Sequence, residues 1–455
     1  MAPESKFRYT RNLLTMFGGW LTTVSAALFL VVFFADIFGL PMNPYMGIVA
    51  FLVLPSLFVF GLILIPIGIF LARRHERRGT VGSMMTWPVI DLNRSHTRNI
   101  AAALVFLTFV NIVVISLAAF RGVEYMDSPQ FCGQVCHTVM QPEYTAYLNG
   151  PHARVPCVAC HIGPGAPWFV KSKLSGTRQL FAVALHTYPE PIPSPVQNLR
   201  PARDTCEQCH WPEKFTGDVV KQIPSFGDDE ANTPSPTTIR LHIGSGSGMG
   251  AHGIHWHMAP STRVVYITTD PKRQTIVWVQ VTDQSGVRTF RAPGVTDEQL
   301  QKGERRQMDC MDCHNRPSHK FDATPERAVD GALADGLIPQ TLPFVRREAV
   351  AALKASYPGR EAAAAGIEKR LSAFFAGQLG AQAGSRKADV AKAISMTQAI
   401  YERNVFPAMK VTWGTYWNDI GHTDSPGCFR CHDDTKKTSD GQVIKQDCEL
   451  CHKFE

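Results

Sequence analysis

Six short stretches of this chain each close a cysteine pair with Cys-His. They are Cys132-Gly-Gln-Val-Cys136-His137, Cys157-Val-Ala-Cys160-His161, Cys206-Glu-Gln-Cys209-His210, Cys310-Met-Asp-Cys313-His314, Cys428-Phe-Arg-Cys431-His432 and Cys448-Glu-Leu-Cys451-His452, and together they use all 12 cysteines. Two closely spaced thiols followed at once by an imidazole form the pattern that attaches c-type haem. The thiols add to the two vinyl groups as thioethers, and the histidine comes to lie beneath the iron as an axial ligand. Disulfides and zinc sites also use cysteine pairs, but neither needs histidine directly after the second cysteine. With 16 histidines in 455 residues, chance does not place one there six times. The first motif has one extra residue between its cysteines and is read with the others. The expected chemistry is one-electron transfer through six covalently bound haems.

An iron that only carries electrons takes a second axial ligand. Six histidines are spent in the motifs, and His75 and His96 fall in a loop between apolar segments. The remaining eight are His152, His186, His242, His252, His255, His257, His319 and His422. His319 follows His314 by five residues, His422 precedes Cys428 by six, and His152 comes just before the second motif. If His252-Gly-Ile-His255-Trp-His257 is extended, alternation puts His255 and His257 on one face. Distal ligands are therefore expected among His319, His422, His257, His152, His186 and His255. His242 and His252 are expected at the surface or against haem propionates. Met140, close behind His137, is a second candidate at the first iron, in place of His137 or opposite it; methionine ligation would raise that potential. The last motif has no histidine partner nearby, so its distal ligand comes from far along the chain or is absent.

The positioning elements begin with membrane segments. Residues 17–35, 47–72 and 100–120 are apolar runs long enough to cross a hydrocarbon core of about 30 Å as helices. Pro55 and Pro66 lie in the second. Lys6, Arg8 and Arg11 precede the first run, Arg73, Arg74, Arg77 and Arg78 follow the second, and the loop between these runs has no Lys or Arg. The positive-inside rule then puts the N-terminus in the cytoplasm and everything after Arg121, with all six motifs, on the periplasmic side of a bacterial inner membrane. The formal charge of +7 is largely this topological bias, and no nucleic-acid site is read from it. None of the three runs contains histidine, so no haem is expected between the membrane helices.

After the anchor (1–121) a haem region with motifs 1–3 is expected over 122–260. It is rich in Pro and Gly, with little capacity for an apolar core of its own, so bound haem is expected to supply buried surface. A small antiparallel β meander is expected over 261–300, from Val264–Thr269, Thr275–Val281 and Val287–Arg291, with turns at Asp270-Pro and Asp283-Gln-Ser-Gly. A helical haem region with motifs 4–6 completes 301–455. Its helices near 361–378 and 387–404 are expected against haem faces. The fold class expected is thus a membrane-anchored multihaem cytochrome c: three N-terminal transmembrane helices, then a largely irregular and α-helical haem domain with a small meander.

The segments Cys132–Tyr144, His152, Cys157–Ala166 and Trp168–Gly176 resemble the NapC/NirT/NrfH family of membrane-anchored multihaem cytochromes. Gly253–Met258, Cys310–His319 and Gly421–His432 resemble longer relatives, the inner-membrane multihaem cytochromes of metal-respiring bacteria. The resemblance implies quinol oxidation at the outer face of the membrane, with electrons drawn from the quinone pool and passed to a periplasmic or outer-membrane cytochrome or reductase in anaerobic respiration. It implies that the family's quinol-binding lysine falls on Lys173, with Lys171 as the alternative; Glu143 and Asp127 are further candidates to hold the quinol hydroxyls or take protons. Three departures stand out: three spans instead of the family's one, the longer first motif with Met140 a residue further on, and no acidic match near Gln179. A passive relay fed by a separate quinol-oxidising protein and a terminal reductase with an open iron position are the rival readings. A homo-oligomer or a larger membrane complex is left open.

Overall fold

The computed structural model describes residues 12–37, 49–77, 91–135, 137–163, 165–196, 199–244 and 252–455. Lys6, Arg8, Arg11, Arg78 and Cys136 lie outside the described residues. The chain divides into two compact units, Met1–Val135 and Cys136–Glu455.

The first unit holds α1 (Leu13–Ile37), α2 (Leu54–Arg77) and α3 (Ser95–Asp127). Leu13–Ala35, Leu54–Arg74 and Ser95–Asp127 are each long and apolar enough to cross a membrane. The second span starts later than expected. Residues Val49–Val53 form a π-helical turn, and the regular helix begins just before Pro55, where a first-turn proline costs no hydrogen bond. At 33 residues α3 outruns the bilayer, since its rise is about 50 Å against a core of about 30 Å. Its last turns, with the Arg121–Glu124 ion pair at 2.7 Å, therefore suit the polar interface. α1 and α2 pack closely through small residues. A Cβ on Gly61 would fall 2.5 Å from Thr22 Oγ1 and 2.8 Å from the Gly18 carbonyl, so only glycine lets the two backbones meet there. α3 joins them through Ala118, which packs with Phe29, Ala50 and Leu54.

In the second unit the haem-motif segments are short helices and turns: α4 (His137–Leu148), α5 (Cys157–His161), α6 (Ala166–Ala184) and α7 (Ala202–Cys206). Two small sheets frame them. One consists of β1 (Asp218–Ile223), β2 (Thr237–His242) and β7 (His452–Phe454) in the order β1-β2-β7. The other is the expected meander, β3 (Arg263–Thr268), β4 (Ile276–Asp283) and β5 (Gly286–Arg291). It is enlarged by β6 (Glu304–Gln307) to the order β5-β4-β3-β6. The Asp270 carboxylate caps its first turn by accepting from the Gln274 and Thr275 amides. Val264, Tyr266, Val279, Val281 and Phe290 form its inner face, against which Trp256, Met308, Cys431 and Ile444 pack. Between β5 and β6 lies the one-turn helix α8 (Asp297–Lys302), closed by a Thr296–Gln299 capping box.

The stretch between the fourth and fifth motifs is α9 (Pro325–Ala334), α10 (Val345–Lys354), α11 (Arg360–Leu379) and α12 (Lys387–Asn404). The last two helices lie within a residue of where composition puts them. Val329, Leu342, Val345, Ala349, Leu353, Ile367, Leu371 and Ile400 close on one another in a core of their own. The reason is compositional: residues 320–421 contain no cysteine or histidine, and their apolar stripes are wide enough to bury each other. Leu371→Ala is expected to cost about 2–5 kcal/mol in this core. That should appear as a lower thermal midpoint by circular dichroism, with the visible absorption of the folded protein unchanged.

Candidate haem-binding sites

Each Cys-x-x-Cys-His segment winds into a single helical turn, which puts positions i, i+3 and i+4 on one side. The amide of the motif histidine donates to the carbonyl of the first cysteine in His210 (2.8 Å), His314 (2.8 Å) and His432 (3.0 Å). Both thiols and the imidazole thereby face the same way, as attachment through two vinyl groups and an axial bond requires. For the first motif the described part is Phe131–Val135, a π turn, and the backbone of α4 from His137. The longer spacing accompanies the wider turn.

Five motif histidines face a second imidazole. Ring centroids are 6.2 Å apart in His161–His319, 6.2 Å in His210–His152, 6.4 Å in His314–His255, 6.0 Å in His432–His257 and 6.1 Å in His452–His422. A metal–nitrogen bond of about 2.0 Å on each side, plus about 1.1 Å from nitrogen to ring centre, needs roughly 6.2 Å. The rings are therefore spaced for one iron between them. The second nitrogen of each distal ring is generally tied to a backbone carbonyl: His152 Nδ1 to Pro317 (3.1 Å), His319 to Glu143 (2.8 Å), His255 to Ile243 (2.7 Å) and His257 to Ile254 (2.8 Å). Such a bond fixes the tautomer and leaves Nε2 for a metal. Burial, reinforced by the facing histidine, lowers the proton affinity of His161, His257, His314 and His452. The neutral form is the one that ligates. Among the described residues no three His, Cys, Asp or Glu side chains converge on one point, as a tetrahedral zinc site would need. Burial also pushes the Cys313 thiol up to about 12 and Cys431 to about 11, which disfavours thiolate and suits a neutral thioether.

The motifs touch in sequence order. α5 packs on α7, and α7 on the Cys310–Asp312 turn. The thiols of Cys206 and Cys310 lie within electrostatic reach of each other. Cys313 lies within electrostatic reach of Cys428 and Cys431, and Cys428 of Cys451. The second to sixth motifs thus form an unbroken row.

One expectation is corrected. His255 and His257 do not share an extended face; Ile254–Met258 is a 3-10 turn, and the two rings are sent to different motifs. His422 faces His452, so the last motif meets its partner from farther along the chain, one of the two expected alternatives. Likewise His152 and His319 face motifs other than their sequence neighbours. A plate the size of a porphyrin explains this, because a residue a few positions from the proximal histidine cannot reach round to the other face. Glu143, a candidate proton acceptor, is paired to Arg316 at 2.6 Å in a nearly buried ion pair and lies 3.4 Å from His319 Nδ1. It positions that ring.

Of the other candidates, His186 is exposed, with Nδ1 on the Val183 carbonyl (3.1 Å) and its ring against Tyr188. His242 is held by Asp218 at 2.9 Å. Met140 is half-buried on α4, one turn after His137. Asp127 ends α3. Lys171 Nζ lies over Trp168 (4.7 Å) and Lys173 Nζ over Phe169 (4.8 Å), both on α6.

Sequence reasoning missed the β1-β2-β7 sheet. Register puts Val219, Ile239, Leu241, His452 and Phe454 on one face. Val219 and Phe454 are exposed as apolar side chains beside His452, which makes this face a seat for a flat apolar group. Alternation in Ile239-Arg240-Leu241-His242 of β2 was the available signal, but Asp218–Ile223 of β1 does not alternate and is exposed on both faces.

Three membrane-crossing helices joined to a unit of repeated cysteine-and-histidine turns define a membrane-anchored multihaem c-type cytochrome. Residues 94–191 match the N-terminal region of the NapC/NirT cytochrome c family. The cytochrome c-type protein ImcH of Geobacter sulfurreducens is 40% identical over 452 residues, 98% of this chain and 88% of that protein. The chain belongs to the NapC/NirT cytochrome c family, and its work is electron transfer at the cytoplasmic membrane. No solved structure matches it.

One backbone position tests the local geometry of the last two motifs. Gly427 has φ +48°, and a Cβ there would fall 1.8 Å from the Gly421 carbonyl oxygen. Gly427→Ala is expected to open the turn that carries His422 and Cys428. The pyridine haemochrome assay should then find less covalent haem per chain than in the parent.

Proposed function

We propose that the chain is a hexahaem quinol dehydrogenase that oxidises quinol at the periplasmic face of the inner membrane and relays electrons to a periplasmic or outer-membrane cytochrome or reductase. The observation that carries this reading is the row of five facing imidazole pairs, ordered from the second motif to the sixth. In sequence the row is preceded by a further motif, which begins five residues after α3 ends. Covalent haem supplies one-electron redox chemistry, so a row of such groups passes electrons singly from one end to the other.

The residues would divide the work as follows. Cys132 and Cys136, Cys157 and Cys160, Cys206 and Cys209, Cys310 and Cys313, Cys428 and Cys431, and Cys448 and Cys451 hold the six macrocycles. His137, His161, His210, His314, His432 and His452 are the proximal ligands. His319, His152, His255, His257 and His422 are the distal ligands of the second to sixth sites. At the first site Met140, one turn of chain after His137, would replace it or oppose it at the iron. His186 is the remaining distal candidate.

A quinol loses two electrons and two protons to become quinone, so its site needs groups that hold the hydroxyls and take protons. Lys171 and Lys173 are two residues apart on α6 and so point about 200° from each other. Phe169, Val170 and Leu180 are exposed on the side of α6 that includes Lys173 and lie away from Lys171. An ammonium set among exposed apolar side chains suits a lipid-soluble substrate with a polar ring, which favours Lys173. Asp127 is the carboxylate nearest in sequence to the first motif and is the proposed proton acceptor. Against the rival terminal reductase at the sixth iron stands His422, whose ring faces His452.

The test is anaerobic reduction of the purified chain by a menaquinol analogue. Lys173→Ala is expected to slow reduction on the order of 100-fold, with Lys171→Ala near the parent rate and chemical reduction by dithionite unaffected in both. If both variants match the parent, the lysine assignment is wrong; if the parent itself is not reduced by the quinol analogue, the chain is a passive relay.

A further inference from the structure

We propose that Arg430 is a positioning residue that pins the fifth haem site to the fourth, and that its buried ion pair with Asp419 tunes the redox potentials there, an assignment that rests on the axial pairing proposed above. Attachment chemistry fixes only the spacing of a Cys-x-x-Cys-His motif and leaves the two middle positions open. In the fifth motif one of them is Arg430, whose side chain is 7% exposed, beside Asp419 at 4%.

Each end of this guanidinium is used. Nε donates to the Gly427 carbonyl at 2.8 Å, Nη1 to the Arg273 carbonyl at 3.1 Å, and Nη2 to the Asp312 carbonyl. Asp312 holds the matching middle position of the fourth motif. Its carboxylate accepts from the Tyr266 hydroxyl and from the Asp309 amide at 2.7 Å. The anionic partner, Asp419, lies 3.4 Å from Nη1 and accepts from Ser425 Oγ at 3.0 Å. Its own amide donates at 3.0 Å to the side chain of Asn315, the residue after His314. One buried arginine and one buried aspartate therefore bolt together the turns that carry His314 and His432.

A buried cation favours the state with the extra electron, and a buried anion opposes it. Arg430 acts electrostatically on Cys313, Cys428 and Cys431, three of the four sulfurs of the two sites, and Asp419 acts on Cys428. Guanidinium keeps its charge at every accessible pH, so the effect is a fixed bias and not a pH switch. Removing either member of the pair changes the field with opposite sign. A purely structural clamp would not do that.

The experiment is spectroelectrochemical titration of the full-length, detergent-purified protein as parent, Arg430→Gln, Arg430→Lys and Asp419→Asn. Each preparation is first checked for covalent haem per chain and for a low-spin spectrum. That check reads the ligation on which the assignment depends and can fail independently of it. With haem content and spin state unchanged, Arg430→Gln is expected to move one or two of the haem potentials downward. Asp419→Asn should move at least one upward, and Arg430→Lys, which keeps the charge but not the fork, should stay near the parent. Shifts of the same sign in Arg430→Gln and Asp419→Asn, or no shift in either, would overturn the assignment. Should Arg430→Gln lose haem, Asp419→Asn decides alone: an upward shift supports it, and none or a downward one overturns it.

Discussion

The spacing of two imidazoles about one iron is the constraint from which the rest of the second unit follows. Five ring pairs stand 6.0–6.4 Å apart, and the members of a pair lie up to 175 residues apart in sequence, as His257 and His432 do. On the proposed ligation, each iron closes a long loop of chain. Little else in 137–260 could close those loops, because the region has few buried apolar side chains. Bound haem and fold are then one cooperative unit, and removing the cofactor removes much of the reason for the chain to be compact.

The haem-free elements serve as a frame. The four-stranded sheet turns its apolar face to the fifth motif through Cys431 and Ile444. The three-stranded sheet contributes His452 and the exposed apolar side chains around it. Helices α9–α12 bury their own core and meet the motif region through residues such as Asp322, whose amide donates to Asn404 Oδ1 at 2.8 Å and whose carboxylate pairs with Arg403 at 3.0 Å. Rigid ends of this kind keep ring pairs in place without spending haem contacts on structure.

Much of this was legible in the sequence, and for definite reasons. The motif spacing is dictated by covalent chemistry, the three spans by the thickness of a bilayer, and helices α11 and α12 by Ala- and Leu-rich runs. The meander was marked by β-branched alternation between Asp-bearing turns. The pairing of histidines was not legible. The sequence left open which distal histidine serves which motif, whereas the structure faces His152 to the third and His422 to the sixth. That outcome depends on which face of an unseen macrocycle the chain can reach, which no local pattern encodes. Arg430 and Asp419 were hidden for a related reason: each looks like an ordinary charged residue until the fold brings the fourth and fifth motifs together.

The most direct measurement is low-temperature electron paramagnetic resonance of the fully oxidised, full-length protein, quantified per chain. Two nitrogen ligands at each of the second to sixth irons predict at least five low-spin ferric centres, with at most one of another type. Stoichiometric high-spin ferric signal from two or more irons would show that the facing imidazoles do not grip a common metal, and would contradict the account.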